Sequence, residues 1–169
     1  MPPVSENCGT DRGFLVLCLS QTTGYAILAL TCLEETQGCW LKAREIAECT
    51  GIPMPYLSKL LHRLGLAGIV DAKRGTFGGY ALAVPAEETS LMHIVEAVEG
   101  ESGLPKCLLG LEDCSDERAC PTHQFWSKER AKIEAKLSKI TLKDVARFER
   151  RHGDRHESCG DSKEAERPG

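Results

Sequence analysis

The chain has 169 residues, and its 21 Lys and Arg against 25 Asp and Glu give a formal net charge of −4. The length fits one domain with an appendage, and a hydrophobic content of 41% excludes wholesale disorder. No apolar run approaches the ~18–20 residues of a membrane span, and residues 14–19 lack the flanks of a secretory signal peptide. Nine cysteines do not close as a disulfide framework, so we expect a cytoplasmic protein that uses some thiols for metal or redox chemistry.

The predicted elements are mainly helical. A polar leader is followed by a helix from near Ser20 to about Glu35, and apolar spacing and capping residues then predict helices over 43–50, 55–65, 91–99, 122–138 and 142–151. The pattern of the next segment predicts two strands, at 68–74 and 80–83, joined by a Gly-rich tip. Ser90 and Thr141 are the expected N-caps of the fourth and last helices, and Trp126, Ile133 and Leu137 are expected to face inward.

The charge is concentrated in one window. Residues 1–53 have a net charge of −3 and residues 85–169 a net charge of −4, whereas residues 54–84 carry four basic side chains against one acidic, a net of +3. A basic surface inside an acidic protein is typical of a contact with phosphate backbones, although a solvated face gives the same count.

A helix-turn-helix is predicted in this part of the chain. Such a motif needs a small residue where its helices cross, Gly four residues later for a left-handed turn, and an apolar residue six further on. Ala47, Gly51 and Leu57 meet these requirements. Polar residues on the second helix and the glycines and basic residues of the hairpin are therefore candidate DNA contacts: Ser58, Lys59, His62, Arg63, Lys73, Arg74, Gly78 and Gly79.

Three cysteines and a histidine form a second candidate site. Cys107, Cys114, Cys120 and His123 follow the pattern C-x6-C-x5-C-x2-H, which can close around a metal ion or cluster. The spacing alone leaves a structural zinc, a disulfide or thiol switch and inert cysteines open. The chain has no CxxC, no catalytic base near these cysteines and no nucleotide-binding Gly loop, which argues against a small redox metalloenzyme.

Several runs of the sequence resemble the IscR/NsrR-type winged-helix regulators of the Rrf group. These are LSQTTGYA at 19–26, IPMPYLSK at 52–59, KRGTFGGYAL at 73–82, IVEAVEG at 94–100, the cysteine loop and residues 140–142. The resemblance implies a mainly α fold with a winged helix-turn-helix DNA-binding domain at 19–102, a cysteine cluster loop at 103–121 and dimerisation helices at 122–151, of which the first is long. Composition predicts a disordered leader at 1–18 and a disordered tail at 152–169.

The resemblance also implies a function. A homodimer would bind a double-stranded, partly palindromic operator, with the second helix of the motif in the major groove and the wing Arg in the minor groove. Tyr56, Ser58, Lys59 and Arg74 occupy the family's contact positions. The protein would be a transcriptional regulator and not an enzyme, and repression is the favoured role.

Cluster-binding members of the family carry three loop cysteines and a variable fourth ligand. Cys107, Cys114 and Cys120 would hold an iron–sulfur cluster, with 2Fe–2S favoured over 4Fe–4S. Some members use an acidic residue near the start of the first helix as the fourth ligand, but Gly24 occupies that position here. His123 is therefore the favoured fourth ligand. The first spacing is one residue longer than expected, which loop slack would absorb.

Overall fold

The protein is described from a computed structural model, which covers residues 19–36, 38–100, 103–109 and 120–152. The predicted leader, Cys114 and all of the predicted tail after His152 lie outside the described residues. Eight elements follow in chain order: α1 Gln21–Glu35, α2 Ala43–Thr50, α3 Met54–Leu66, β1 Val70–Lys73, β2 Gly79–Leu82, α4 Leu91–Glu99, α5 His123–Leu137 and α6 Leu142–His152.

The predicted mainly α fold is confirmed, with one small antiparallel sheet. Val70 pairs with Leu82 and Lys73 with Gly79, so that residues 74–78 form the tip of the β-hairpin. Leu41 forms an isolated antiparallel β-bridge with Tyr80. The N–H of Leu41 donates to the carbonyl of Tyr80 (3.0 Å), and the N–H of Tyr80 donates to the carbonyl of Leu41 (2.7 Å). The hairpin is thereby tied to the segment that precedes α2.

The core lies between α1, α3 and α4. Leu57, Leu60, Leu61 and Leu64 supply the buried face of α3, as predicted, and pack with Leu30, Leu33, Ile46, Ile69 and Ile94. Helix α1 is buried over a wider face than the single predicted stripe, because α2, α3, α4, α6 and β2 all pack against it. A sequence stripe shows only the dominant face of a helix, not how many partners surround it.

Capping residues set the helix ends. The hydroxyl of Ser20 accepts from the N–H of Thr23 at the start of α1, and that of Ser90 accepts from the N–H of His93 at the start of α4. At α6, the N–H and hydroxyl of Thr141 both donate to the Asp144 carboxylate, at 3.0 and 2.8 Å. Ser90 and Thr141 are the N-caps that the sequence predicts, and Ser20 lies where the sequence places the start of the first helix. All three satisfy helix-end N–H groups that have no partner within the helix.

Helix α5 packs less closely than the others. Trp126 is buried and Leu137 is half-buried against the core, but Ile133 is 36% exposed. The prediction that Ile133 faces inward is therefore wrong for the single chain: α4 is the principal helix that α5 contacts, near its first turns. None of the helices in the described part of the chain is long and apolar enough to cross a membrane.

Candidate nucleic-acid interface and cysteine site

The helix-turn-helix is built by the three residues that the sequence singled out. Gly51 ends α2 in the left-handed conformation (φ 70°), and its N–H donates to the carbonyl of Ala47 at 2.8 Å. Leu57 is fully buried under the crossing of the two helices. A residue with a Cβ would be strained at the φ of Gly51, so the turn depends on this glycine.

Helix α3 exposes the predicted polar residues. Its first turn is closed by the carbonyl of Pro53, which accepts from the N–H groups of Tyr56 (3.0 Å) and Leu57 (2.9 Å), while Pro55 in the same turn has no N–H to satisfy. The side chains opposite the leucine face are all exposed: Tyr56, Ser58, Lys59, His62 and Arg63. They form a polar, mainly basic surface along one side of the helix.

Two of these side chains also make contacts inside the protein. The hydroxyls of Tyr56 and Thr22 are 2.5 Å apart, and the ring of Tyr56 packs edge-on against that of Tyr25 with centroids 5.4 Å apart. Arg63 Nη1 donates to the carbonyl of Val98, at the C-terminal end of α4, at 3.4 Å. A guanidinium is favoured there by the partial negative charge of a helix C-terminus. Both ends of α3 are therefore linked to neighbouring helices.

The wing presents the other half of the basic surface. Lys73 and Arg74 are exposed, and Lys73 Nζ lies 5.7 Å from the centroid of the Trp40 ring, within cation–π range. A Cβ on Gly78 would lie 2.1 Å from the carbonyl oxygen of Lys73, and one on Gly79 would lie 2.4 Å from that of Leu41. Gly78 is buried and Gly79 half-buried, so close packing within the hairpin by itself requires both glycines.

The cysteine loop begins at the end of α4. Gly103 donates its N–H to the carbonyl of Gly100 at 2.8 Å, and a Cβ on Gly103 would lie 2.9 Å from Met92 Cε, so the loop runs directly over α4. Further along, the indole N–H of Trp126 donates to the carbonyl of Pro105 at 2.8 Å. This bond fixes the segment leading to Cys107 against the first turns of α5.

Three of the four predicted ligands are described, and they lie around the start of α5. Cys107 is buried, Cys120 is half-buried, and His123 is half-buried in the first turn of the helix, with its N–H donating to the carbonyl of Cys120 at 3.1 Å. Among the described residues no group of three His, Cys, Asp or Glu side chains forms a metal-binding set, and Cys114 is not among them.

The surroundings of Cys120 favour its thiolate. Its Sγ lies 3.2 Å from the hydroxyl of Thr122, and hydrogen bonding by this hydroxyl holds the pKa of the Cys120 thiol below its ordinary value. Backbone hydrogen bonds from Thr122 and His123 lower this pKa as well, whereas partial burial and the charge of nearby Cys107 raise it. A thiolate is the form that binds metals and reacts with oxidants, so this geometry suits either chemistry.

Comparison with known sequences identifies the family. The profile of the Rrf2 family, described as an iron-dependent transcriptional regulator, matches residues 19–147. The chain belongs to the Rrf2 family. It is 30% identical over 138 residues to an HTH-type transcriptional regulator of Aquifex aeolicus (strain VF5), covering 80% of this chain and 96% of that protein.

Solved structures of Rrf2 relatives share the fold. IscR of T. potens is 30% identical with a TM-score of 0.60, over 78% of this chain and 88% of that one. The oxidized form of CymR from Staphylococcus aureus is 32% identical with a TM-score of 0.59, over 77% of this chain and 96% of that one. This Rrf2 protein is thus a transcriptional regulator with a winged-helix fold, and not an enzyme.

Sequence reasoning missed one set of contacts in this Rrf2 regulator. The carboxylate of Glu99, the last residue of α4, accepts from the hydroxyls of Ser20 and of buried Thr23, the latter at 2.8 Å. Glu99 therefore joins the end of α4, which precedes the cysteine loop, to the start of α1. The paired residues are separated by 76 and 79 positions in the sequence, and no local pattern predicts so distant a contact. Only the folded chain reveals it.

Proposed function

We propose that this Rrf2 regulator binds an operator as a homodimer and that its DNA affinity depends on an iron–sulfur cluster. The operator would be read by α3 and the wing, and repression is the favoured outcome. The observation that carries the DNA-binding half is the exposed basic surface formed by Lys59, His62, Arg63, Lys73 and Arg74 on a helix-turn-helix and its adjoining hairpin.

The reading surface divides into two parts. Tyr56, Ser58 and Lys59, in the first half of α3, are suited to base edges and phosphates of a major groove, because the N-terminal residues of a recognition helix approach the bases most closely. Arg74 on the wing is suited to a minor groove, whose narrow regions attract guanidinium groups. Gly78 and Gly79 would contribute by keeping the hairpin tight rather than by touching DNA.

The cluster would be held by Cys107, Cys114, Cys120 and His123. Their donor set fits an iron–sulfur group, since Cys107 is close enough to influence the pKa of Cys120 and the hydrogen bonds at the start of α5 favour a Cys120 thiolate. Three cysteines with one histidine favour a 2Fe–2S cluster over 4Fe–4S. When bound, such a cluster supplies iron that responds to redox state, nitric oxide and iron–sulfur supply.

The contacts of α4 supply a route from the cysteine loop to the reading surface. The loop starts at Gly100, Glu99 binds the first turn of α1, and Arg63 of the reading helix donates to Val98. The cysteine loop with a bound cluster would hold this end of α4 differently from the same loop without a cluster. In a dimer, a small shift of α3 would change the distance between the two recognition helices. The protein would then bind its two operator half-sites less tightly.

An anaerobic visible spectrum with iron, sulfide and zinc analysis tests the cluster. We expect a coloured protein that loses its colour in the Cys107→Ser, Cys114→Ser and Cys120→Ser variants, with an altered spectrum in His123→Ala. Cys39→Ser is the matched control, because Cys39 is exposed and outside the loop. A colourless protein that contains stoichiometric zinc would refute the cluster proposal.

A thiol switch is the second candidate, supported by the lowered pKa of Cys120 and its proximity to Cys107. Oxidation by a peroxide would join the two sulfurs, remove both thiol protons and reduce the peroxide to water. A colourless, zinc-free protein whose operator affinity changes on peroxide treatment, and recovers with a thiol reductant, would favour this alternative.

Arg74→Ala tests the wing. We expect weaker operator binding and a salt dependence shallower by about one unit, because each phosphate contact contributes a slope of about −0.9. Arg44→Ala is the control, since Arg44 is an exposed cation on α2 paired with Glu48 at 2.8 Å and outside the basic window. Equal effects of the two substitutions would count against a DNA-contacting wing.

A further inference from the structure

The wing tip carries an aromatic side chain that the fold does not use. Phe77 is 88% exposed, the most exposed of the large apolar side chains in the described residues, although it lies in an ordered turn. The N–H of Gly78 donates to the carbonyl of Gly75 at 3.0 Å, which places Thr76 and Phe77 at the two central positions of a β-turn. A polar residue would serve that turn equally well, so folding does not explain the phenylalanine.

The surroundings of Phe77 indicate what it meets. The tip follows directly on Lys73 and Arg74, both exposed, and α3 packs against β1, the strand that carries Lys73. Gly78, buried against the Lys73 carbonyl, and Gly79, packed against Leu41, hold the hairpin tightly next to its tip. An exposed apolar projection that follows two cations in the chain is complementary to a duplex, which offers phosphates on both sides of a groove with sugar and base surfaces between them.

We propose that Phe77 is a DNA-contacting residue that packs its ring into the minor groove, against the sugars and a partly opened base step, at the place where the wing meets the operator. The inference rests on the proposed DNA-binding function and adds an apolar component to it. Apolar wedges of this kind widen or kink a minor groove, and they favour flexible pyrimidine–purine steps. Phe77 would thus add both affinity and a shape preference at the outer part of each half-site.

The test uses full-length protein purified anaerobically and 30-base-pair duplexes that the wild-type protein selects from a randomised pool, about three helical turns long. Binding is measured by fluorescence anisotropy over a range of salt concentrations, and bending by circular-permutation gels. The variants are Phe77→Ala, Phe77→Leu, Thr76→Ala as the matched control in the same turn, and Arg74→Ala as the electrostatic reference. Urea unfolding midpoints of Phe77→Ala and wild type should agree, because the side chain is almost fully exposed.

We expect Phe77→Ala to weaken binding about tenfold with an unchanged salt slope and a smaller bend, because the lost contact is apolar and involves no counterion release. Phe77→Leu should keep most of the affinity, and Thr76→Ala should stay within about twofold of wild type. Selection repeated with Phe77→Ala should lose the preference for flexible steps at the outer positions.

Other outcomes separate this inference from the function on which it rests. If wild type binds its selected duplexes and Phe77→Ala behaves like Thr76→Ala, the role of Phe77 is refuted while DNA binding stands. A loss of affinity accompanied by a shallower salt slope would also refute it, since the substitution would then have disturbed the basic wing. If wild type enriches no sequence and binds no duplex, the proposed function fails and the inference with it.

Discussion

The DNA-reading half of the chain, α1 to α4 with the hairpin, and the cysteine half, the loop with α5, are built in different ways. In the core of the reading half, Leu57, Leu60 and Leu64 of α3 meet α1, α2 and α4, and Leu142 of α6 is buried in the same core. In the cysteine half, Trp126 is the only buried residue of α5, and Phe125 remains exposed. The first half is held mainly by apolar packing, while the second depends on polar anchors such as the Trp126–Pro105 hydrogen bond and leaves Phe125 and Ile133 exposed.

The difference has a functional meaning. Under the proposed function, a rigid reader would let α3 and the wing meet DNA in a fixed geometry, whereas a sensor would have to change state at modest cost. Within the reading half, Arg63 and Glu99 make their contacts at the end of α4, the point from which the chain continues to the cysteine loop. Four substitutions test how these parts of the molecule are held, from the largest expected effect to the smallest.

Leu57→Ala should lower the free energy of unfolding by about 2–5 kcal/mol, because it removes a fully buried side chain beneath the helix crossing. Leu66→Ala is the control on the same helix: Leu66 is 77% exposed, and its loss should change stability by less than about 0.5 kcal/mol. Urea unfolding measures both. Similar values for the two variants would mean that the reading half is not organised around this core.

Glu99→Ala should cost about 1–2 kcal/mol, because the buried Thr23 hydroxyl loses its carboxylate acceptor. Hydrogen exchange should become faster in the first turn of α1 and at the end of α4. Glu96→Ala, an exposed position on the same helix, is the control. Unchanged exchange at the start of α1 would mean that Glu99 does not hold α4 to α1.

Trp126→Phe should cost about 1–2 kcal/mol, since it replaces a buried indole with a smaller aromatic ring and deletes the N–H that donates to the Pro105 carbonyl. Amide exchange should accelerate in residues 103–109 and stay the same in α3 if the halves are separable. The control is Trp40→Phe, beside Lys73 of the wing. Any acceleration of exchange in this variant should fall in the reading half and leave residues 103–109 unchanged. Equal acceleration in α3 would contradict the division.

Asp144→Asn should have the smallest effect, and one that depends on pH. Hydrogen bonds from the backbone and hydroxyl of Thr141 hold the pKa of Asp144 below its ordinary value of 3.8. The stabilisation is therefore present above that value and is lost as the pH falls through the lowered pKa of the folded protein. The melting temperature of the variant should lie slightly below that of wild type at pH 7, and the difference should vanish in strong acid.

The sequence predicted much of the reading half. The spacing of Ala47, Gly51 and Leu57 predicted the turn between α2 and α3, and the leucine periodicity predicted the buried face of α3, because these features arise from local backbone geometry and side-chain period. Cap residues such as Ser90 and Thr141 predicted helix starts for the same reason. The set of candidate ligands was also visible as a pattern, although the structure describes only three of the four.

Other features depended on contacts between distant segments. Ile133 fits a helical stripe but is 36% exposed, since the described residues do not bury that side of α5. Gly78 and Gly79 suggested room for DNA, yet the close approach of the Lys73 and Leu41 carbonyls is what requires them. The charge window likewise marked Arg63 as a DNA contact without revealing its bond to Val98.

The sequence by itself determined the helix-turn-helix, the basic window and the candidate metal ligands, because each is encoded by residues close together in the chain. Only the tertiary structure decided how they are connected. It brought Glu99 to Ser20 and Thr23, anchored the segment before Cys107 to Trp126, and left Phe77 exposed at the wing tip. Long-range pairing depends on how all the helices pack together, and no local stretch of sequence contains that information.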